Sequence, residues 1–469
     1  MMTKKRMWAG VALSVALLLS GCGKGTGEAP VPPDTEEFVT AGPADTEPET
    51  EDPIDYGALS RNLFDGLTES PESDFTTVAN ADGVTVTGYT GQDEKIRIPD
   101  RIGGSPVTAL ADGALRGNET VKVLWIPDSV TGFGSGILVG TSSLYALHTP
   151  IPQEEGKQFL GWLFGAESYE TNNVVDLRRI DFLEIGGTQT ELPAYALFDC
   201  NDLVTVRLPE TVTTLENWSL ARCSSLKQID LTGIIKIGEG ALLGCSALTA
   251  ITLSDRLEQV GREAFSDCNG IRSMQLPFIG ESRTQNRFLG WLFGAETPQQ
   301  ATGLYPSKLR AVVLTDETAV GDYAFYAAPV RTVTLTDGVT GIGVRAFGNC
   351  EKLSRLTLPS GVLTIGEHAF SGCASLLEIR IPDGVTGIGV NAFLNCTALE
   401  SVTLPQTVKS LPSGCFFGCR NLREVDLGGV GAVGVNAFRG CDALETLLTN
   451  GSASFADGNA SAENRISGD

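Results

Sequence analysis

Histidine is almost missing from this chain, which has only His148 and His368 in 469 residues. Zinc centres and Ser-His or Cys-His nucleophilic sites rely on imidazole beside other ligands or a nucleophile, so both chemistries start with little material. Positive charge is scarce as well. There are 34 Lys and Arg against 57 Asp and Glu, a formal charge of −23. Recognition of a phosphate backbone needs clustered cations, so no nucleic acid is expected as a partner. Long apolar runs are lacking too: nothing approaches the 18 consecutive apolar residues of a spanning helix. The Gly-rich piece Gly132-Phe133-Gly134-Ser135-Gly136 has no Walker lysine, and no nucleophile elbow is recognisable. Adjacent carboxylates such as Glu154-Glu155 read as solvated loop residues. No enzyme activity, cofactor or metal site is expected.

What the chain does contain is repetition. Ile342-Gly343, Ala346-Phe347, Cys350, Leu353, Leu356 and Leu358-Pro359 recur 23 residues later as Ile365-Gly366, Ala369-Phe370, Cys373, Leu376, Ile379 and Ile381-Pro382. A further 23 residues brings Ile388-Gly389, Ala392-Phe393, Cys396, Leu399, Val402 and Leu404-Pro405. Looser copies bring the count to about 14 units, from Val121 to Leu444. A fixed period in this range marks stacked coils rather than one closed core. The end of each phrase alternates with period two and reads as a short strand. Proline directly after it ends the strand, because it cannot donate to the ladder. Ala-Phe-x-x-Cys reads as a single turn of α- or 3₁₀-helix. An earlier strand at Ile96-Arg97-Ile98 is expected to cap the N-terminal end.

Two inserts are copies of each other. Phe159 to Glu167 and Phe288 to Glu296 share Phe-Leu-Gly-Trp-Leu-Phe-Gly-Ala-Glu at an offset of 129. They read as short apolar helices packed on the flank of a widened coil rather than as binding loops.

The ends differ from the array. Lys4-Lys5-Arg6, an apolar run from Met7 to Leu19 and Leu19-Ser20-Gly21-Cys22 resemble a bacterial lipoprotein signal with its lipobox. That resemblance implies loss of the first 21 residues and acylation of Cys22, and several acyl chains anchor firmly where one would not. Residues 23–75, rich in Pro, Thr, Glu and Asp, read as a disordered, extended tether. The repeats occupy 76–449, with inserts near 151–175 and 278–307, and 450–469 reads as a disordered tail.

The Ile-Gly-x-x-Ala-Phe-x-x-Cys-x-x-Leu phrase resembles the BspA-type leucine-rich repeat of bacterial surface proteins, over about Val84 to Leu448. The resemblance implies an α/β repeat fold. It is a solenoid with one short parallel strand per 22–23-residue coil and short helical turns. The phrase lapses where Asn118 and Thr141 hold the cysteine slot. Nine of the eleven cysteines fill that slot, which suits a ladder of small buried hydrophobes.

The outward strand positions form a polar face of mostly small residues, with Trp125 as its lone large aromatic and His148 on the same exposed side. Trp125, Arg207, Arg355 and Arg380 are its candidate partner-binding residues, since Trp and Arg concentrate interface energy. Pairing of Arg355 and Arg380 with Glu378 is the alternative. The resemblance implies a lipid-anchored, extracytoplasmic protein at the bacterial cell surface that binds proteins there or in a host matrix. A structural stalk or envelope protein without a dedicated partner is the other reading.

Overall fold

A computed structural model describes residues 63–173, 180–449, 453–459, 462 and 466–467. Cys22, the signal segment and residues 23–62 of the expected tether lie outside the described residues.

The repeats stack into a solenoid with two parallel ladders. The first contains sixteen short strands among the described residues, from Lys95–Arg97 to Ile466–Ser467. Register follows the sequence period: Thr332 lies opposite Arg355 and Val333 opposite Leu356. The second ladder uses two-residue strands such as Gly341–Ile342, Thr364–Ile365 and Gly387–Ile388. Inward residues such as Val333, Leu353, Leu356, Ile342 and Ile365 form one continuous core along the stack. A single coil has no second layer of its own, so each coil's apolar edge is buried only by its neighbours.

The Ala-Phe-x-x-Cys segment is not the helical turn expected from sequence. Its amides alternate between two kinds of partner. Those of Arg345, Phe347 and Asn349 donate to Glu367, Ala369 and Ser371 in the next coil. Those of Ala346, Gly348 and Cys350 donate three residues back, to Gly343, Arg345 and Phe347. Left-handed backbone at Arg345 (φ 52°) and Asn349 (φ 58°) produces the alternation. Every donor is thereby satisfied without helix, and the segment forms a third inter-coil ladder.

Two side-chain columns stand behind this ladder. Phe325, Phe347, Phe370, Phe393, Phe416 and Phe438 are fully buried and stack with centroids 5.1–5.7 Å apart. Beside them each thiol donates to a carbonyl of the preceding coil: Cys373 to Phe347 at 3.2 Å, Cys396 to Phe370 at 3.2 Å and Cys419 to Phe393 at 3.1 Å. Thr141, in the same slot, departs from this pattern, its hydroxyl donating within its own coil to Leu138 at 2.8 Å.

The inserts pack as expected, with Leu160–Phe164 and Leu289–Phe293 as 3₁₀ turns. Both interrupt the second ladder, and their tryptophans repair it. In a regular coil the Ile342 carbonyl accepts from Gly366 of the next coil. At the inserts, Trp162 Nε1 donates to Phe133 and Trp291 Nε1 to Val260, each at 3.1 Å. The indole thus supplies the donor that the missing strand would have provided.

Three boundaries differ from expectation. The N-terminal cap is an antiparallel hairpin, Phe75–Ala79 with Val84–Tyr89, whereas the expected cap strand, Lys95–Arg97, is the first rung of the ladder. The tether does not extend to residue 75, because Phe64 is 7% exposed and the Ser70 amide donates to Arg97 at 2.9 Å. The expected tail contributes strands as well: Ser454–Phe455 pairs with Ala432–Val433 and Ile466–Ser467 with Leu447–Leu448. Buried Asn459 closes the turn ladder by accepting the Phe438 amide and donating to Gly434 and Ala456. Both ends therefore give partners to backbone groups that a bare terminal coil would leave open.

Candidate partner-binding face

The outward side of the first ladder divides into a covered and an open part. Over the N-terminal coils it is apolar. Val123, Ala146 and Phe182 point outward there, and residues 63–70 lie across them as a strap. Phe64 fills the centre, tilted against Phe182 at 5.7 Å and edge-on to Trp125 at 5.4 Å. The strap is fixed by the Ser70–Arg97 backbone bond, a return bond from the Arg97 amide to the Ser70 hydroxyl (3.2 Å), and Arg97 Nη1 donating to Leu67 (3.3 Å).

His148 is not on an exposed side. It is 3% exposed, stacked on Trp125, with Nδ1 3.1 Å from Glu184 and Nε2 3.1 Å from Asp128. A ring with carboxylates at both nitrogens is held as the imidazolium, since only that form donates twice. Burial opposes the charge, but the hydrogen bonds and charges of Asp128 and Glu184 outweigh it and raise the His148 pKa above its ordinary value. Asp128 is held below the usual range, chiefly by its bond from His148. Glu184, though burial alone would raise it, is lowered by His148 and Arg207. Gly186 makes room for the clamp, because a Cβ there would stand 2.2 Å from Asp128 Oδ1 and 2.5 Å from His148 Nε2.

The four candidate residues are therefore in different situations. Trp125 is half-buried beside the strap, with His148 from one neighbouring strand stacked on its ring and Arg97 from the other over it at 5.2 Å. Arg207 is about half exposed and holds Glu184 at 3.1 Å. Arg355 and Arg380 are exposed, and among the described residues neither forms an ion pair with Glu378 or any other carboxylate. Arg355 borders a shallow concavity of about 380 Å³ with Thr332, Thr334, Asp337 and Thr357. The open part of the face thus offers unpaired guanidinium groups on a carpet of small hydroxyls.

Sequence reasoning missed Phe64, Phe182 and the carboxylate clamp. A usable signal was present in the run of outward apolar residues Val123, Trp125, Ala146 and Phe182, which a solvated face would not carry. Among the described residues no group of His, Cys, Asp and Glu is placed to hold a metal ion. Burial raises the pKa of the Cys268 and Cys350 thiols to about 12, which disfavours the nucleophilic thiolate at those rungs.

In sequence, residues 173–288 and 318–445 match the BspA type Leucine rich repeat region, in six copies. No curated protein matches the chain. A leucine-rich repeat protein from Bacteroides ovatus is similar in structure, with 21% identity over 82% of this chain and 98% of that one, TM-score 0.39. A leucine rich cell surface protein from Faecalibacterium prausnitzii has 22% identity over 85% and 97%, TM-score 0.29. The pneumococcal vaccine antigen PcpA has 15% identity over 85% and 89%, TM-score 0.25.

Proposed function

Since this chain belongs to the BspA-type leucine-rich repeat family, we propose that it is a lipid-anchored adhesion or protein-binding module of the bacterial cell surface. The anchor is acylated Cys22, the acidic segment after it is the tether, and the solenoid presents the contact face without catalysing a reaction. The observation that carries this reading is the open part of the strand face. Arg355 and Arg380 stand there without a carboxylate partner among the described residues, with Thr332 opposite Arg355 and Thr403 opposite Arg380. Guanidinium groups in that state are ready for bidentate pairing with a partner's carboxylates.

Adhesion of cells displaying the full-length protein to surfaces coated with individual matrix proteins tests the reading. Binding should be saturable and should fall at least about tenfold in the Arg355→Ala/Arg380→Ala double variant, about 1.4 kcal/mol. Surface display and thermal unfolding should stay unchanged. Adhesion equal to that of cells lacking the protein, on every coating, would leave the structural stalk as the better reading.

A further inference from the structure

On the turn side of the solenoid, away from the strand face, lies a row of aromatic rings that the repeat does not require. The slot five residues before each cysteine takes left-handed backbone. Gly240, Asn391, Gly414 and Asn436 fill it with residues that tolerate this conformation. Glu263, Arg345 and His368 adopt it too, as does Tyr323 before Ala328, and two neighbouring coils place Tyr195 (φ 62°) and Trp218 (φ 61°) there. Both residues are partly exposed. Tyr195 stacks on Tyr169 of the first insert, 4.0 Å apart and 17° from parallel. The Trp218 ring lies on Gly240 of the next coil, where a Cβ would approach the indole to 2.8 Å. Glycine at that point lets the indole lie flat.

Directly beside this shelf a groove of about 420 Å³ opens at the second insert. Asn217, next to Trp218 in sequence, lines it with Lys236, Glu239, Gln259, Arg262, Glu281 and Trp291. Arg262 is held across it by Glu239 at 3.5 Å and Glu296 at 3.1 Å. The two inserts differ at this place. In the first, Lys157 lies over the Trp162 ring at 5.0 Å. In the second, the position 129 residues on is Asn286, which turns to Glu281 and leaves Trp291 lining the groove.

The geometry points to a carbohydrate-binding site on the turn side: Tyr169, Tyr195 and Trp218 as a stacking shelf for pyranose faces, continued by a groove whose planar polar side chains engage ring hydroxyls. A sugar ring has an apolar C–H face that suits an aromatic plane. Its adjacent hydroxyls donate and accept at once, which matches the amides of Asn217 and Gln259, the carboxylate of Glu239 and the guanidinium of Arg262. The mixture of Lys, Arg and Glu around the groove suits a neutral ligand rather than an anion or a cation. This site does not depend on the strand face, so either could fail without the other.

Isothermal titration of the full-length protein with cellohexaose, maltohexaose and chitohexaose, and with a proline-rich decapeptide, tests the assignment. At least one saccharide should bind saturably. Trp218→Asn, which installs the residue found in this slot at Asn391 and Asn436, should weaken it at least tenfold without lowering Tm. Gln259→Ala should weaken it less, and Arg355→Ala not at all. Absence of binding to all three saccharides at millimolar concentration would overturn the proposal, as would affinity that survives Trp218→Asn. Binding of the peptide alone, lost in Trp218→Asn, would make the shelf a peptide site and equally overturn it.

Discussion

The imidazole of His148 lies parallel to the indole of Trp125, with centroids 3.4 Å apart and an interplanar angle of 0°. Phe64 from the strap meets both rings edge-on, so the imidazolium clamp and the strap share one wall. The strap's packing is therefore linked to the charge of His148.

We expect strap stability to depend on pH in a definite direction. The folded pKa of His148 is raised, so its contribution is complete below the unfolded value and is lost as pH rises through the folded one. Asp128 and Glu184 are lowered, so theirs is present above their unfolded values and lost as pH falls through the folded ones. Protection of the amides around Phe64 to Ser70, taken relative to their intrinsic exchange at each pH, should be greatest in the mildly acidic to neutral range and should fall on both sides. A flat profile, or a His148 titrating below its ordinary pKa by NMR, would contradict the clamp.

Phe64→Ala should loosen the strap by roughly 3 kcal/mol, the lower end of the range for a buried aromatic. The coils beyond Gln228 should keep their exchange protection, because an array couples mainly to its nearest neighbours. Limited proteolysis should then cut between residues 63 and 75 first, and general unfolding in its place would mean that the strap is integral to the core.

Phe393→Ala removes a rung whose neighbours stand 5.2 and 5.3 Å away. A cost of about 3–5 kcal/mol is expected, felt first from Cys373 to Leu427. Hydrogen exchange should report it there, and unchanged protection in these coils would exclude the stacked register.

The thiol ladder should be slow to react. Burial keeps Cys268 and Cys350 near pKa 12, and their protons are engaged with Leu242 and Phe325. Native protein should label slowly with a thiol probe, and denatured protein completely. Rapid native labelling of several rungs would show an open ladder.

Mass spectrometry of the mature N-terminus should find a diacylated Cys22 with residues 1–21 absent. Cys22→Ser should release the protein from membranes with its Tm intact. An unmodified terminus elsewhere would remove the anchor from the proposed function.

The sequence by itself determined the solenoid, its 23-residue register and the ladder of small buried cysteines, because one slot repeated over many coils has only one way to bury its apolar face. It also foretold packed inserts. Tertiary structure decided the rest. Ala-Phe-x-x-Cys carries one local mark against a helical turn, the Gly or Asn that recurs directly before the cysteine, but it is the neighbouring coil's carbonyls that make left-handed residues at Arg345 and Asn349 favourable. Trp125 and His148 read as surface residues because period-two alternation places them outward. The alternation could not reveal that Phe64, from a segment acidic enough to resemble linker, returns to cover them. Among the candidate residues, Arg355 and Arg380 remained open for the same reason in reverse: no described segment lies across their coils. Outwardness is a property of one strand, whereas exposure depends on what the rest of the chain places over it.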